Sequence, residues 1–181
     1  MKIIASFLAG VALSIVLIWQ GAGRWVFSEI ESQFTVEETV ARIQQNVQAA
    51  GNGWSLSGLR NPIKPLQAEG SNALPVLLIE ACSTKYSGPI LRDDSVRFLS
   101  LLMPCKIGVY KKNDGKVYIG ILNAKLVASL FGSQVVEIME KVVDDQKRFL
   151  VMDASKPAPA LIEPKPAGGG GAVGGTPGDG C

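Results

Sequence analysis

The stretch LLMPCKIGVYKKNDGKVYIGILN, residues 101–123, decides the fold of this chain. Apolar residues alternate with polar or small residues on both sides of Asn113-Asp114-Gly115. Asp-Gly between two alternating runs is a strong signal for a β-hairpin. We therefore expect two neighbouring antiparallel strands here, with Pro104-Cys105 at the start of the first.

Further helices and strands can be placed outward from this hairpin. Thr35 and Glu38 form the pattern of a capping box, which predicts a helix over residues 36–50. Strands are expected at 54–59 and 74–81, short helical pieces after Cys82, and helices at 124–131 and 134–150, the first of them capped by Asn123. This order favours an α+β fold, an antiparallel sheet with helices packed on one face.

The N-terminal segment has the composition of a membrane span. Between Lys2 and Arg24 lie 21 residues without a formal charge, and a helix of that length reaches about 30 Å. Trp19 and Trp25 flank its distal end, where aromatic rings prefer the headgroup region. We expect residues 1–24 to be a single-pass transmembrane signal anchor in the inner membrane, with the domain on the periplasmic or extracellular side. A cleaved secretion signal is the alternative.

The other end of the chain is rich in Pro and Gly. Residues 153–181 offer few apolar residues to offset the entropy of ordering, so we expect a disordered tail after a globular domain over residues 34–152. Cys181, the last residue, is either an incidental exposed thiol or a point of attachment or intermolecular pairing.

Composition excludes several classes of function. The 18 basic and 16 acidic residues are scattered and give a formal charge of +2, so no basic stripe favours nucleic acid as a partner. The chain contains no His. This excludes His-ligated metal within one subunit, as well as Ser-His-Asp and Cys-His catalysis. No catalytic constellation is recognisable, and whether the protein is an enzyme is left open.

Several short motifs carry a resemblance to a known family. The most specific are Glu80-Ala81-Cys82, Met103-Pro104-Cys105, Tyr110 and Asp114-Gly115-Lys116. They resemble the uncharacterised bacterial and archaeal family called domain of unknown function 302, over about residues 34–150. The chain departs from the family pattern at Ser83-Thr84 and Lys106, where the family has Asn-Pro and Arg. The resemblance implies a compact, dimeric α+β domain with no settled biochemical activity.

Two cysteines stand at the ends of consecutive predicted strands. If these strands are antiparallel, Cys82 and Cys105 lie at the same edge of the sheet, within reach of a disulfide. An exported domain meets oxidising conditions, which favour that bond. The alternatives are two buried reduced thiols, or a functional thiol or soft-metal site that includes Met103. Neither a metal nor a cofactor can be assigned from the sequence.

One acidic residue lies in an apolar strand. Glu80 stands beside Cys82, and an ionised carboxylate there needs a partner, for which we expect Lys106 or Tyr110 across the sheet. The adjacent acids Asp144 and Asp145 are expected to be solvated. A ligand or redox cleft is therefore predicted at Cys82, Cys105, Glu80, Tyr110 and Lys106. The favoured function is a membrane-anchored binding or interaction domain of the cell envelope, and the alternative is a thiol-based redox or soft-metal protein.

Overall fold

The computed structural model describes residues 6–7, 10–14, 16 and 24–163. The element order is that of an α+β fold. It is β1 (Phe27–Ser32), α1 (Val36–Ala49), β2 (Trp54–Arg60), α2 (Lys64–Ala68), β3 (Val76–Ser83), α3 (Thr84–Arg92), a 3-10 helix (Arg97–Leu102), β4 (Cys105–Lys111), β5 (Val117–Leu122), α4 (Ala124–Ala128) and α5 (Ser133–Phe149).

The strands form one five-stranded sheet in the order β1-β5-β4-β3-β2, and every neighbouring pair is antiparallel. The predicted hairpin is confirmed, since β4 pairs with β5 and the turn places Gly115 at φ 84°. That left-handed conformation favours glycine, because other residues meet a steric cost there. The predicted α+β class and antiparallel sheet are thus confirmed.

One face of the sheet is covered by α1 and α5. The capping box is present, because the Thr35 hydroxyl accepts from the Glu38 backbone N–H at 3.2 Å. Apolar residues of both helices pack on alternate residues of the central strands, and many of these side chains are fully buried. The main members of this core are Val40, Ile43, Val47, Ile79, Ile107, Val109, Ile119 and Phe149. We call this side the covered face.

A second, smaller core closes one end of the sheet. The chain leaves the end of β3, runs through α3 and the 3-10 helix, and re-enters the sheet at the start of β4. Because β5 is antiparallel to β4, its end lies at this same edge and α4 follows there. Ile90, Leu99, Ala128 and Val135 are buried together. This end therefore brings together segments that are far apart in sequence.

The structure adds one strand to those predicted. β1 precedes the expected start of the domain at residue 34 and pairs with β5 at the edge of the sheet. Five of its six residues are exposed. Since only Phe27 and Ile30 in this strand are apolar, the alternation that predicts a strand is weak.

The segment after α5 also differs from the sequence prediction over residues 153–163, which were expected to be disordered. The buried Arg42 guanidinium donates to the backbone oxygens of Asp153 (2.9 Å) and Lys156 (2.8 Å). The Gln44 side chain exchanges two hydrogen bonds with the backbone of Ile162, at 2.6 and 2.9 Å. Polar side chains of α1 thus supply the partners that the apolar-poor segment lacks. The remainder of the tail, including Cys181, lies outside the described residues.

The predicted membrane anchor falls mainly outside the described residues as well. Within the described ranges, 6–7, 10–14, 16 and 24–163, no helix is both long and apolar enough to cross a bilayer.

Candidate functional site

The site residues predicted from sequence are divided between the two faces of the sheet. Successive side chains of a strand point to opposite faces, and Ala81 is paired with Cys105 in register. Both contribute to the core on the covered face. Glu80, Cys82, Lys106 and Tyr110 alternate with these residues, so they belong to the opposite side, which we call the open face.

The two cysteines are close in the sheet but are not bonded to each other. Cys105 is a free thiol, so the predicted Cys82–Cys105 disulfide is wrong. The antiparallel register does bring the two residues to the same edge, as expected. Because Cys82 follows Ala81 in β3, its side chain leaves the sheet on the face opposite to Cys105.

The thiol of Cys105 is held in its protonated form. Burial raises its pKa from 9.0 to about 11, against the smaller opposing effect of the Lys106 charge. The nucleophilic and metal-binding form of cysteine is the thiolate. At neutral pH this thiol is therefore a weak nucleophile, and it acts as a small apolar side chain of the core.

Glu80 finds its partner on the neighbouring edge strand. Its carboxylate accepts a hydrogen bond from Arg60 Nε at 3.3 Å, not from Lys106 or Tyr110 as predicted. A bulge between Leu56 and Gly58 shifts the register of β2, and a Cβ on Gly58 would collide with the Glu80 carboxylate. The bulge and the glycine therefore make room for this ion pair.

Tyr110 belongs to a polar cluster near the hairpin turn. Its hydroxyl donates to Glu29, which also accepts from Lys112 Nζ at 2.7 Å. These two hydrogen bonds lower the pKa of Glu29. Burial and the hydrogen bond to Glu29 raise the pKa of Tyr110 to about 12. Lys112 also lies 4.2 Å from the centre of the Tyr118 ring. This cluster is internally neutralised, and its groups keep their usual charges at neutral pH.

Lys106 stands directly opposite Glu80 in the register of β3 and β4 but is exposed. Among the described residues it takes part in no ion pair. Two glycines, Gly108 and Gly120, are paired next to it on the open face. Tyr110 lies over this pair, because a Cβ built on Gly120 would meet its ring at 3.0 Å. The open face is therefore shallow around Lys106.

A cavity of about 980 Å³ links the open face with the closed end of the sheet. Most of the described residues that line it are apolar or aromatic, and they come from every element at this end. They include Trp54, Leu78, Cys82, Tyr86, Ile90, Leu99, Met103, Cys105, Val127, Phe131, Met139 and Val142. Among the described residues, three charged ones line it, namely Arg24, Glu29 and Lys106. Four of the five predicted site residues thus border this cavity; Glu80 does not.

The sequence prediction missed a buried carboxylate beside this cavity. Asp145 was expected to be solvated, but it is 3% exposed, whereas Asp144 is exposed and pairs with Lys147. The Asp145 carboxylate accepts hydrogen bonds from Trp54 Nε1 at 2.8 Å, the Tyr86 hydroxyl at 3.0 Å and Asn52 Nδ2 at 3.3 Å. The Arg148 guanidinium also pairs with it. The two adjacent acids differ because α5 turns only one of them toward the sheet.

This network fixes the aromatic wall of the cavity. A buried carboxylate is stable only when its oxygens are hydrogen-bonded, and here the donors are the polar ends of Trp54 and Tyr86. Their rings line the cavity and lie 6.0 Å apart, centre to centre, in an edge-to-face arrangement. Asp145 is therefore a positioning residue for this wall. Within the described ranges, no group of three or more His, Cys, Asp or Glu side chains is placed to hold a metal ion.

Comparison with known proteins supports the family resemblance. The model of the family described as "Domain of unknown function DUF302" matches residues 28–152. A solved structure, "Crystal structure of uncharacterized conserved protein DUF302 from Bacillus stearothermophilus", superposes with a TM-score of 0.60 at 18% identity and covers 69% of this chain and 95% of that chain. No curated protein matches. The chain therefore belongs to the DUF302 family, and the crystal structure shows that the fold is shared.

Proposed function

We propose that this member of the DUF302 family is a membrane-anchored binding domain of the cell envelope whose cavity takes an apolar ligand. The observation that carries the proposal is the cavity itself. Its volume of about 980 Å³ falls within the roughly 300–1,000 Å³ of small-molecule sites, which are mostly apolar with a few placed polar groups. Binding of this kind needs no catalytic group.

The position of exposed apolar residues supports the membrane part of the proposal. Phe27 begins β1 and pairs with Leu122, the last residue of β5, so residues 1–24 precede the sheet at the end closed by the second core. Leu101 and Leu130 at this end are 85% and 78% exposed, and Phe98, Leu102 and Leu126 are also exposed. An exposed group of large apolar residues marks a contact with a membrane or a protein.

In this arrangement the lipid bilayer would supply the ligand. The apolar segment of residues 1–24 would hold the exposed apolar end close to the lipid surface, on the periplasmic or extracellular side. The 3-10 helix and α4 of that end also line the cavity. A molecule that dissolves in the bilayer would then reach the cavity directly. The homodimer that the family resemblance implies stays a prediction.

Photolabelling tests the proposed function. The probe is dodecane that carries a photoreactive diazirine, and the sample is the full chain in phospholipid nanodiscs. We expect saturable labelling of peptides from α3 and the C-terminal half of α5, which excess dodecane suppresses. Labelling confined to residues 1–24, or labelling that never saturates, would contradict the proposal.

A pair of variants provides the control. A Cβ on Gly108 would meet the nearest side chains at ordinary distances of 3.5 to 3.7 Å, so Gly108→Ala is expected to fold, and thermal unfolding checks that Gly108→Leu folds as well. The longer side chain should fill part of the cavity and reduce labelling, whereas the alanine variant should retain most of it.

A further inference from the structure

Two buried polar side chains that line the cavity have no hydrogen-bond partner among the described residues. Ser87 in α3 and Gln146 in α5 are 6% and 5% exposed, and both line the cavity. Neither side chain forms a hydrogen bond with the described residues. They are also not among the fully enclosed polar atoms without a partner, which are Arg42 Nε and Ser57 Oγ. Their polar atoms therefore keep some accessible surface, and both residues line the cavity.

Each of these two residues is the sequence neighbour of a residue that links the two helices directly. Ser87 follows Tyr86 and Gln146 follows Asp145, and the Tyr86 hydroxyl donates to the Asp145 carboxylate at 3.0 Å. This hydrogen bond joins α3 to α5. A hydroxyl and an amide are thus fixed on the two helices that border one end of the cavity.

Burying polar groups without partners is unfavourable. A site keeps such groups when a ligand or water completes their hydrogen bonds, and in small-molecule sites a few polar groups of this kind set orientation and specificity. Ser and Gln side chains both donate and accept. They therefore match a hydroxyl, a carbonyl or an amide of the ligand.

The electrostatics of this part of the cavity favour a neutral group over an anion. Arg24, Glu29 and Lys106, the charged lining residues, belong to the segment before β1, to β1 and to the open face of β4. None of them comes from α3 or α5. The buried charge nearest to Gln146 in sequence is Asp145, and its carboxylate is paired with the Arg148 guanidinium, so this pair offers no unpaired cation to an anion.

We propose that the cavity binds an apolar molecule with one neutral hydrogen-bonding group, a hydroxyl, carbonyl or amide, which Ser87 and Gln146 recognise. This assignment rests on the proposed function and names the class of its ligand. A long-chain alcohol is the simplest member of this class. The apolar lining takes its chain, and the two unpartnered side chains take its hydroxyl.

The test compares four ligands of equal chain length on the full chain in nanodiscs: dodecane, 1-dodecanol, dodecanoate and dodecylammonium. Each competes with the diazirine probe, and half-maximal concentrations are corrected for partition into the lipid. We expect the alcohol to compete about tenfold better than the alkane, the equivalent of one net hydrogen bond. Both charged ligands should compete less well than the alcohol.

Variants assign this preference to the two side chains. Ser87→Ala with Gln146→Leu should reduce the alcohol to the level of the alkane while dodecane binding is retained or improved. Gln134→Leu, at an exposed position in the first turn of the same helix, is the matched control and should keep the tenfold preference. The retained binding of dodecane also shows that the double variant is folded.

The outcomes separate this inference from the proposed function. Equal competition by alcohol and alkane in the wild-type chain, or strongest competition by dodecanoate or dodecylammonium, would overturn the assignment of a neutral polar group but leave an apolar binding site. A preference for alcohol that survives the double variant would overturn the role of Ser87 and Gln146. Failure of all four ligands to suppress labelling would overturn the proposed function itself.

Discussion

The two faces of the sheet are built from the same strands but differ in what covers them. On the covered face, Ile107, Val109 and Ile119 pack against α1 and α5 and are essentially inaccessible. On the open face, the residues between them include the paired Gly108 and Gly120. Alternation along one strand thus supplies a closed core on one side and a shallow surface on the other.

The two faces thus differ in emphasis between stability and binding, and they meet at Trp54, Tyr86 and Val142, which belong to the core and also line the cavity. The covered face holds the large apolar side chains whose burial drives folding. The open face and the adjoining end have small, aromatic and unpartnered polar residues that border the cavity. We therefore expect substitutions on the covered face to change the free energy of unfolding, and substitutions at the cavity to change binding.

The largest effect is expected at Phe149, the bulkiest fully buried side chain, which lies 5.0 Å from Trp54 between ring centres. Phe149→Ala removes this packing and leaves a cavity, and should lower the free energy of unfolding by about 3–5 kcal/mol. Leu130→Ala, at a side chain that is 78% exposed, should change it by less than about 0.5 kcal/mol. Denaturant unfolding measures the change in the free energy of unfolding for both variants. Equal changes would contradict the distinction between the core and the exposed end.

A slightly smaller effect is expected at the buried carboxylate. Asp145→Ala leaves the Trp54 and Tyr86 donors without their acceptor, which should cost about 2–4 kcal/mol. It should also weaken dodecane binding, because both rings line the cavity. Asp144→Ala, next to it but exposed, should be nearly neutral. The same loss in both variants would show that the Asp145 network does not organise this wall.

Ionisation of the free Cys105 thiol should give a somewhat smaller change in the free energy of unfolding, and this change depends on pH. Cys105 ionises near pH 9 in the unfolded chain and near pH 11 in the folded one. The folded state therefore holds this proton more tightly, and its contribution is fully present below pH 9 and lost as the pH rises to 11. The expected loss of stability is about 2.7 kcal/mol, and it should be absent in Cys105→Ala.

The alkylation rate of the Cys105 peptide measures the same pKa. It should rise with a midpoint near pH 11 in the folded protein. A midpoint near pH 9 would mean that the thiol is accessible and would favour the redox alternative.

The smallest effect is expected in the polar cluster near the hairpin turn. Tyr110→Phe removes one hydrogen bond to Glu29 at an accessible site, and should cost less than about 1 kcal/mol. The lowered pKa of Glu29 means that its contribution is present above the usual carboxyl pKa and is lost as the pH falls. The difference between variant and wild type should therefore shrink on acidification. A difference of several kcal/mol would make this cluster part of the core.

The sequence predicted those parts of the fold whose signals are local. The Asp114-Gly115 turn and the Thr35 capping box are each contained in a few residues, and both are present in the structure. The alternation of Ile107 and Val109 also predicted the side of the sheet that is buried. Such features depend on backbone preference and side-chain period.

The candidate site depends on contacts between residues that are far apart in the chain, and local sequence patterns do not show these contacts. The Arg60 partner of Glu80 requires a bulge in β2, and the isolated Gly58 within that strand is only a weak local sign of one. Asp145 is buried only because Trp54 and Tyr86, about 91 and 59 positions away, reach its carboxylate. Ser87 and Gln146 match no sequence motif. They become candidate binding residues only because the fold places both at the cavity.

The central claim, that the cavity binds an apolar molecule, is tested most directly through Trp54. The chain has three Trp residues, so the variant with Trp19→Phe and Trp25→Phe reports on Trp54 alone, which is 8% exposed and lines the cavity. In nanodiscs, 12-bromododecanol should quench its fluorescence saturably, and 1-dodecanol should reverse the quenching. Fluorescence that does not change, or quenching that rises linearly and is not displaced, would contradict the account.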